Sequence, residues 1–219
     1  LKDIRREIPE ELFAVLEKEG IKKLTPCQEK SIKAGLFKRK NLLVCTPTAS
    51  GKTLIAEFAM LKEILENRRK AIYVVPLKAL ANEKFDLFTK RYSSLCKIAL
   101  SIGNLDSADP YLEKYDLIVC TAEKLDSLIR HHAPWLKDIG VVVIDEIHLL
   151  NDPSRGPTLE ILITLLRKLN PHVHLIALSA TIGNPKILSN WLNAELIVDD
   201  WRPVKLKKGV FYDNTILFP

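Results

Sequence analysis

The sequence lacks the features of membrane, secreted and metal-cluster proteins. No apolar stretch approaches a membrane-spanning length, and the first residues contain no apolar signal core. The four cysteines form no Cys-x-x-Cys pair and do not resemble a zinc or iron–sulfur ligand set. The chain also has no internal repeat and no low-complexity segment. We therefore expect an intracellular, cytoplasmic protein with no membrane partner, whose cysteines stay reduced.

The charge balance is modestly basic. The 219 residues include 33 Lys and Arg against 27 Asp and Glu, which gives a formal charge of +6 at pH 7. A positive excess favours polyanionic partners such as nucleic acids. An ordinary solvated basic surface explains the same excess equally well, so charge alone leaves both interpretations open.

The apolar pattern predicts an α/β fold. Six short runs rich in Val, Ile and Leu are typical of strands covered on both faces: residues 41–46, 71–76, 97–102, 116–121, 141–145 and 174–179. Helical patterns lie between and after them, at residues 52–66, 77–89, 122–130, 158–169 and 185–192. This alternation predicts a largely parallel sheet with helices on both faces. Helix 158–169 is apolar almost all round, so we expect it to be well buried.

The first chemical signal is an eight-residue string that leaves the first predicted strand and enters a helix: Thr46-Pro47-Thr48-Ala49-Ser50-Gly51-Lys52-Thr53. Such a loop can direct several backbone N–H groups at one anion, and the helix N-terminus adds favourable dipole charge. Gly51 allows close approach of phosphates, Lys52 would reach them, and the Thr53 hydroxyl would ligate Mg²⁺. The strict phosphate-loop pattern has Gly at position 46, where this chain has Thr.

The second signal follows the fifth predicted strand. Asp145 ends that strand, in the position of an aspartate that holds Mg²⁺ directly or through water. Glu146 comes next, at the carboxyl edge of the sheet, where ligands bind in open α/β folds. Its predicted role is to orient and deprotonate an attacking water. Lys52, Asp145 and Glu146 are therefore the predicted catalytic residues.

Further strings occur in the order found in superfamily-2 DExH helicases, and the chain resembles that family over essentially its whole length. The strings are Leu24-Thr25-Pro26-Cys27-Gln28, Val75-Pro76-Leu77-Lys78-Ala79-Leu80, Thr121-Ala122-Glu123-Lys124, Asp145-Glu146-Ile147-His148 and Leu178-Ser179-Ala180-Thr181. Two more resemble the superkiller-type branch: Ala180-Thr181-Ile182-Gly183-Asn184-Pro185 and Trp201-Arg202-Pro203-Val204. The segment from Thr48 to Thr53 is most similar to archaeal Holliday-junction-migration helicases and their polymerase-theta-like relatives, which act on DNA.

The resemblance implies ATP and Mg²⁺ as cofactors, and it implies further residue roles. Gln28, the only Gln in the chain, would read the adenine base. The residues implied to grip the backbone of a single strand are Pro76, Lys78, Thr121 and Lys124. Those implied to couple the nucleotide state to nucleic-acid binding are His148, Ser179 and Thr181. Asn104 stands where the branch usually has an acidic residue, which puts the nucleic-acid role of its loop in doubt.

The resemblance also implies a domain organisation. We expect residues 1–40 to form a helical lead-in containing Gln28, and residues 41–200 to form a first RecA-like, ATP-binding domain. Residues 201–219 are expected to be a linker or strand leading to a second RecA-like domain that this sequence does not contain. In this superfamily the second domain supplies arginines that stabilise the transition state. We therefore expect this chain alone to bind nucleotide weakly, to hydrolyse it slowly and to unwind nothing.

Three functions remain open at this point. The leading one is the first motor domain of an ATP-dependent DNA helicase that acts on single-stranded or branched DNA, as in DNA repair. The second is an RNA helicase of the superkiller type, because contacts to a nucleic-acid backbone do not distinguish DNA from RNA. The third is a nucleotide-regulated binding module without motor activity.

Overall fold

The structure is a computed structural model that describes residues 4–103, 108–204, 206–207, 209–213 and 215–218. The sequence departure at Asn104 lies outside the described residues. Two short strands occupy part of the segment expected to be a linker or strand. They are β8 (Val210–Tyr212) and β9 (Thr215–Leu217), which pair antiparallel.

A seven-stranded parallel sheet forms the centre of the molecule. Its strands are β1 (Leu42–Cys45), β2 (Lys70–Val75), β3 (Ile98–Ser101), β4 (Leu117–Thr121), β5 (Ile139–Ile144), β6 (His174–Ser179) and β7 (Glu195–Val198). They lie in the order β3-β4-β2-β5-β6-β1-β7. The six strands expected from the sequence are all present. The seventh, β7, has a weaker apolar signal because it is an edge strand in which only Ile197 is fully buried.

Seven α-helices accompany the sheet in the described part of the chain. They are α1 (Glu10–Lys18), α2 (Pro26–Ala34), α3 (Lys52–Asn67), α4 (Lys78–Tyr92), α5 (Ala122–Arg130), α6 (Gly156–Leu169) and α7 (Pro185–Leu192). None of these described helices combines the length and the apolar character that crossing a bilayer requires.

The helices cover both faces of the sheet, as the alternation of apolar residues along the strands predicts. In β1, Leu42 and Val44 belong to the core shared with α1, α2, α3 and α4. The intervening residues Leu43 and Cys45 belong to the core shared with α5, α6 and α7. The predicted α/β fold with a largely parallel sheet is therefore confirmed.

The helix at 158–169, which we expected to be well buried, is buried on one face only. Helix α6 buries one face through Leu159, Leu162 and Ile163, whereas Ile161 is 47% exposed and Leu169 is 59% exposed. Because α6 lies in an outer layer, only one of its sides meets the sheet, and the apolar residues on the other side remain at the surface.

The far end of α3 is tied to the sheet by a buried carboxylate. Glu63 is 2% exposed and forms ion pairs with Arg39 and Arg69. The Glu63 side chain lies against Gly140 of β5, where an added Cβ would collide with it. Helix α3 packs against β5 and β2, and Lys84 links its first turn to the end of β5 through Thr53 and Asp145.

His174 is a buried titratable residue whose pKa links the stability of the fold to pH. Its ring is 2% exposed, and Nε2 donates to the Lys40 carbonyl at 2.9 Å. Burial lowers the pKa of His174 from 6.5 to about 4. Between these values the unfolded chain binds a proton that the folded chain does not, so the free energy of unfolding must fall as the pH drops.

We expect the variant His174→Gln, which cannot titrate, to lose this part of the acid sensitivity. Between pH 7 and pH 5 the wild-type chain should lose about 2 kcal/mol more stability than the variant. Urea denaturation at the two pH values measures the difference. The exposed residue His172 supplies the control, because His172→Gln should retain the wild-type pH dependence. Equal pH dependence of wild type and His174→Gln would contradict the assignment.

Candidate functional site

The predicted site residues collect at one edge of the sheet because its strands are parallel. Thr46 follows β1, Pro76 follows β2 and Asp145 follows β5, while Thr121 and Ser179 are the last residues of β4 and β6. Strands β1 and β5 are separated only by β6. The two chemical strings, 93 positions apart from Lys52 to Asp145 (145 − 52), are thus brought to strand ends with a single strand between them.

Hydrogen bonds from α2, and from Thr25 immediately before it, hold the loop between β1 and α3 in place. Thr25 Oγ1 donates to the Ser50 carbonyl at 2.8 Å, and Cys27 Sγ donates to the same oxygen at 3.1 Å. Gln28 Nε2 donates to the Gly51 carbonyl at 3.0 Å. These bonds fix two loop carbonyls toward α2. The first N–H groups of α3, which have no partner within the helix, remain available to an anion at its N-terminus.

Gln28 has a structural role that the sequence did not reveal. Besides its bond to Gly51, its Oε1 accepts from the Thr25 N–H at 2.9 Å, which completes a capping box at the start of α2. The side chain is 3% exposed. The spacing Thr-x-x-Gln before a helix is the signal that could have predicted this cap. Reading of adenine by Gln28 stays a prediction.

Two loop residues adopt the left-handed backbone conformation. Gly51 has φ +95°, and Ala49 has φ +64°. A Cβ at Gly51 would collide with Gln28 Nε2 and lie 3.2 Å from Thr25 Oγ1. Position 51 therefore requires glycine for both conformation and space, whereas position 49 carries a side chain in a conformation that glycine adopts more easily.

Lys52 turns back over the loop that precedes it. Its Nζ donates to the carbonyls of Thr46 at 2.8 Å and Pro47 at 3.0 Å. Burial lowers the pKa of Lys52, and the negative charges of Glu146 and Asp145 oppose that shift. Lys52 at the start of α3 and the two carboxylates after β5 thus belong to the same edge of the sheet, and their catalytic roles stay predictions.

The carboxylate of Asp145 is held by three neighbours. Tyr73 Oη donates to Oδ2 at 2.6 Å, and the Glu146 N–H donates to Oδ1 at 3.0 Å. Lys84 Nζ lies 4.0 Å from Oδ2 and 3.4 Å from Thr53 Oγ1. The two oxygens predicted to serve Mg²⁺ thus flank one cation. Their donor chemistry, a carboxylate and a hydroxyl around a positive charge, fits a magnesium ion.

Tyr73 and Lys84 are functional candidates that the sequence analysis missed. Tyr73 is the one polar side chain in the buried part of β2, Ala71–Val75, which is an available signal. Lys84 occupies the inner side of α4, between the buried residues Ala81 and Phe88. Its ammonium reaches Thr53 and Asp145 only because α4 packs close to the start of α3 and the end of β5, which the sequence does not reveal.

The residues predicted to couple the two sites are only partly brought together. His148 Nδ1 lies 3.3 Å from Glu146 Oε2. Ser179 is buried, and its carbonyl accepts from the Thr46 N–H at 3.3 Å, which joins it to the loop. Thr181 is exposed. Among these described residues no hydrogen bond links His148 to Ser179 or Thr181, so their coupling role stays a prediction.

The residues predicted to contact nucleic acid divide into two groups. Pro76 is partly exposed and Lys78 is exposed at the start of α4. Thr121 instead caps α5 by accepting from the Lys124 N–H at 3.3 Å. The Lys124 side chain is 1% exposed, and its Nζ lies 2.8 Å from Asp109 Oδ2. Direct contact through Lys124 is therefore not supported, because its ammonium is buried in an ion pair.

Comparison with known proteins identifies the family. Residues 25–188 match the family model described as DEAD/DEAH box helicase. The chain belongs to the DEAD/DEAH box helicase family. This match confirms the helicase resemblance drawn from the strings at the strand ends.

Individual helicases of this family extend the comparison. Two proteins named ATP-dependent DNA helicase Hel308 are similar: that of Methanocaldococcus jannaschii is 53% identical over 216 residues, and that of Methanococcus vannielii is 50% identical over 209 residues. The alignments cover 95% and 92% of this chain but 18% and 27% of those proteins. A crystal structure titled as DUF1998 helicase MrfA bound to DNA matches with a TM-score of 0.76 and 26% identity, over 89% of this chain and 30% of that one. The chain therefore spans less than a third of these relatives.

Substitutions at the two left-handed residues of this loop should differ in their effect on stability. We expect Gly51→Ala to destabilise the chain by at least ~2 kcal/mol, since the new Cβ meets both an unfavourable φ and the Gln28 amide. The matched variant Ala49→Gly should change stability by less than ~1 kcal/mol, because glycine relieves the left-handed strain while adding chain entropy. Denaturant unfolding measures both. Equal losses at the two positions would contradict this description of the loop.

Proposed function

We propose that this chain binds ATP with Mg²⁺ and forms the first motor domain of a DNA helicase. The observation that carries the proposal is the meeting of Lys52, Thr53, Asp145 and Glu146 at one sheet edge, beside the N-terminus of α3. A cation-lined helix N-terminus attracts phosphates, and an adjacent carboxylate pair suits metal binding and water activation. The names of the relatives, ATP-dependent DNA helicases, support the same assignment.

Each residue of this chain has a stated role in the proposal. The Lys52 ammonium leaves the carbonyls of Thr46 and Pro47 and binds the β- and γ-phosphates. Thr53 Oγ1 and the Asp145 carboxylate would hold Mg²⁺. When bound, the metal neutralises charge on the phosphates. Glu146 orients a water molecule and accepts its proton.

The proposal includes the domain organisation and the partner. Residues 1–40 form the lead-in, residues 41–200 the first RecA-like domain, and residues 201–219 the connection to a second RecA-like domain in cis. Single-stranded or branched DNA passes the loop that begins at Pro76 and reaches the exposed Lys78. Because that contact is made to the nucleic-acid backbone, binding weakens as salt rises. In the proposal, His148, Ser179 and Thr181 couple the nucleotide state to nucleic-acid binding.

The alternative of an RNA substrate can be distinguished by comparing how DNA and RNA stimulate ATP hydrolysis. We expect single-stranded DNA to stimulate ATP hydrolysis in the longer enzyme more strongly than single-stranded RNA of the same sequence. Stimulation by RNA alone would favour an RNA helicase. Hydrolysis that neither nucleic acid stimulates would favour the nucleotide-regulated binding module.

Two substitutions should separate nucleotide binding from hydrolysis. Lys52→Ala removes the phosphate-binding ammonium and is expected to weaken ATP binding at least ~10-fold. Glu146→Gln retains the size of the side chain but cannot accept a proton, so it should bind ATP with little change and hydrolyse it at least ~100-fold more slowly. Fluorescent-nucleotide titration and single-turnover phosphate release measure the two steps.

Matched variants at exposed positions control for the loss of charge. Lys90→Ala on α4 and Glu160→Gln on α6 change the same residue types at exposed positions. Both should leave nucleotide binding and hydrolysis unchanged. Normal phosphate release by Glu146→Gln would show that another group activates the water.

A further inference from the structure

Lys84 occupies an unusual place for a lysine. It lies in the middle of α4, and only 14% of its side chain is exposed. Neighbours on the same helix face, Ala81 and Phe88, are completely buried. The helix therefore directs the lysine stem inward, and its ammonium reaches Thr53 Oγ1 at 3.4 Å and Asp145 Oδ2 at 4.0 Å.

The packing of α4 keeps Lys84 in this position. Phe88, one turn after Lys84, packs edge-on against the Tyr73 ring with a centroid distance of 5.1 Å. Tyr73 in turn donates its hydroxyl hydrogen to Asp145 Oδ2 at 2.6 Å. At the end of α4, Arg91 donates to the buried carboxylate of Glu57 on α3 at 3.1 Å. Helix α4 is thus joined to the carboxylate of Asp145 and to α3.

An ammonium and a divalent metal cannot both occupy the space between Thr53 and Asp145. Mg²⁺ binds its oxygen ligands at about 2.0–2.1 Å and keeps several water molecules around it. That hydrated ion would need the volume that Lys84 Nζ fills, and the two positive charges would repel each other in a partly buried site.

We propose that Lys84 is a resident counter-ion of the metal site, which excludes free divalent cations from Thr53 and Asp145 until a nucleotide arrives with them. The phosphates of the nucleotide add the negative charge that allows the metal to displace the ammonium. Metal binding is thereby coupled to nucleotide binding. This inference rests on the proposed function, because it takes Thr53 and Asp145 as the metal ligands.

Metal binding to the nucleotide-free chain tests the inference, with Mn²⁺ as a paramagnetic probe in place of Mg²⁺. We expect Lys84→Met to bind Mn²⁺ at least tenfold more tightly than the wild-type chain in an electron paramagnetic resonance titration. Lys84→Arg retains the positive charge and should bind Mn²⁺ as weakly as wild type. Lys90→Met removes an exposed charge from the same helix and should also leave the affinity unchanged. Equal Mn²⁺ affinities of wild type and Lys84→Met would overturn the proposal.

A second pair of variants separates this inference from the proposed function. Lys84→Gln retains a hydrogen-bond donor without the charge, and it should match Lys84→Met if the charge excludes the metal. Adding Asp145→Asn to either variant should remove the gained Mn²⁺ binding. Retained tight binding in that double variant would mean that the metal lies elsewhere, and the metal ligands of the proposed function would be wrong. The opposite result is also distinguishable. If Asp145→Asn weakens Mn²⁺ binding in the presence of ATP, the metal ligands of the proposed function are supported. If Lys84→Gln and Lys84→Met then leave the Mn²⁺ affinity of the nucleotide-free chain unchanged, only the role of Lys84 is overturned.

Discussion

The parallel direction of all seven strands of the central sheet is the constraint on which the site depends. The carboxyl ends of parallel strands lie at the same edge of the sheet. Chain segments that leave different strands therefore meet there although they are far apart in the sequence. The direction of helix α3 is the second constraint. The helix leaves β1 and packs against β5, where Glu63 lies against Gly140. Lys84 contacts both Thr53 in the first turn of α3 and Asp145 after β5, so the loop and the carboxylate belong to one site.

Within this frame the polar groups are oriented by neighbours that take no part in the proposed chemistry. Thr25 and Gln28 bind the carbonyls of Ser50 and Gly51, which turns those oxygens away from the anion site. Tyr73 likewise orients the Asp145 carboxylate, by donating a hydrogen bond to one of its oxygens. Such partners reduce the reorganisation that ligand binding requires, because the acceptors and donors already point in the productive direction.

The fold was largely predictable because buried strands of a parallel sheet are continuous apolar runs. Strand β7 escaped prediction for the opposite reason, since it lies at the sheet edge and is only partly buried. The prediction for α6 failed because an apolar helix in an outer layer still has an exposed side. The burial of Lys124 was not predictable, because its spacing from Thr121 places it on α5 but says nothing about Asp109, the partner that accompanies its burial.

The sequence by itself determined the chemistry of the site: the order of the strings, the residue types for phosphate and metal, and the α/β fold that brings them together. These are local properties, set by apolar periodicity and by residues adjacent in the chain. The tertiary structure alone decided which side chains support that chemistry. Gln28 against the loop, Tyr73 at Asp145 and Lys84 at Thr53 and Asp145 are each defined by a partner on another element. A pairing of this kind depends on distances in space, and separations along the chain do not specify them.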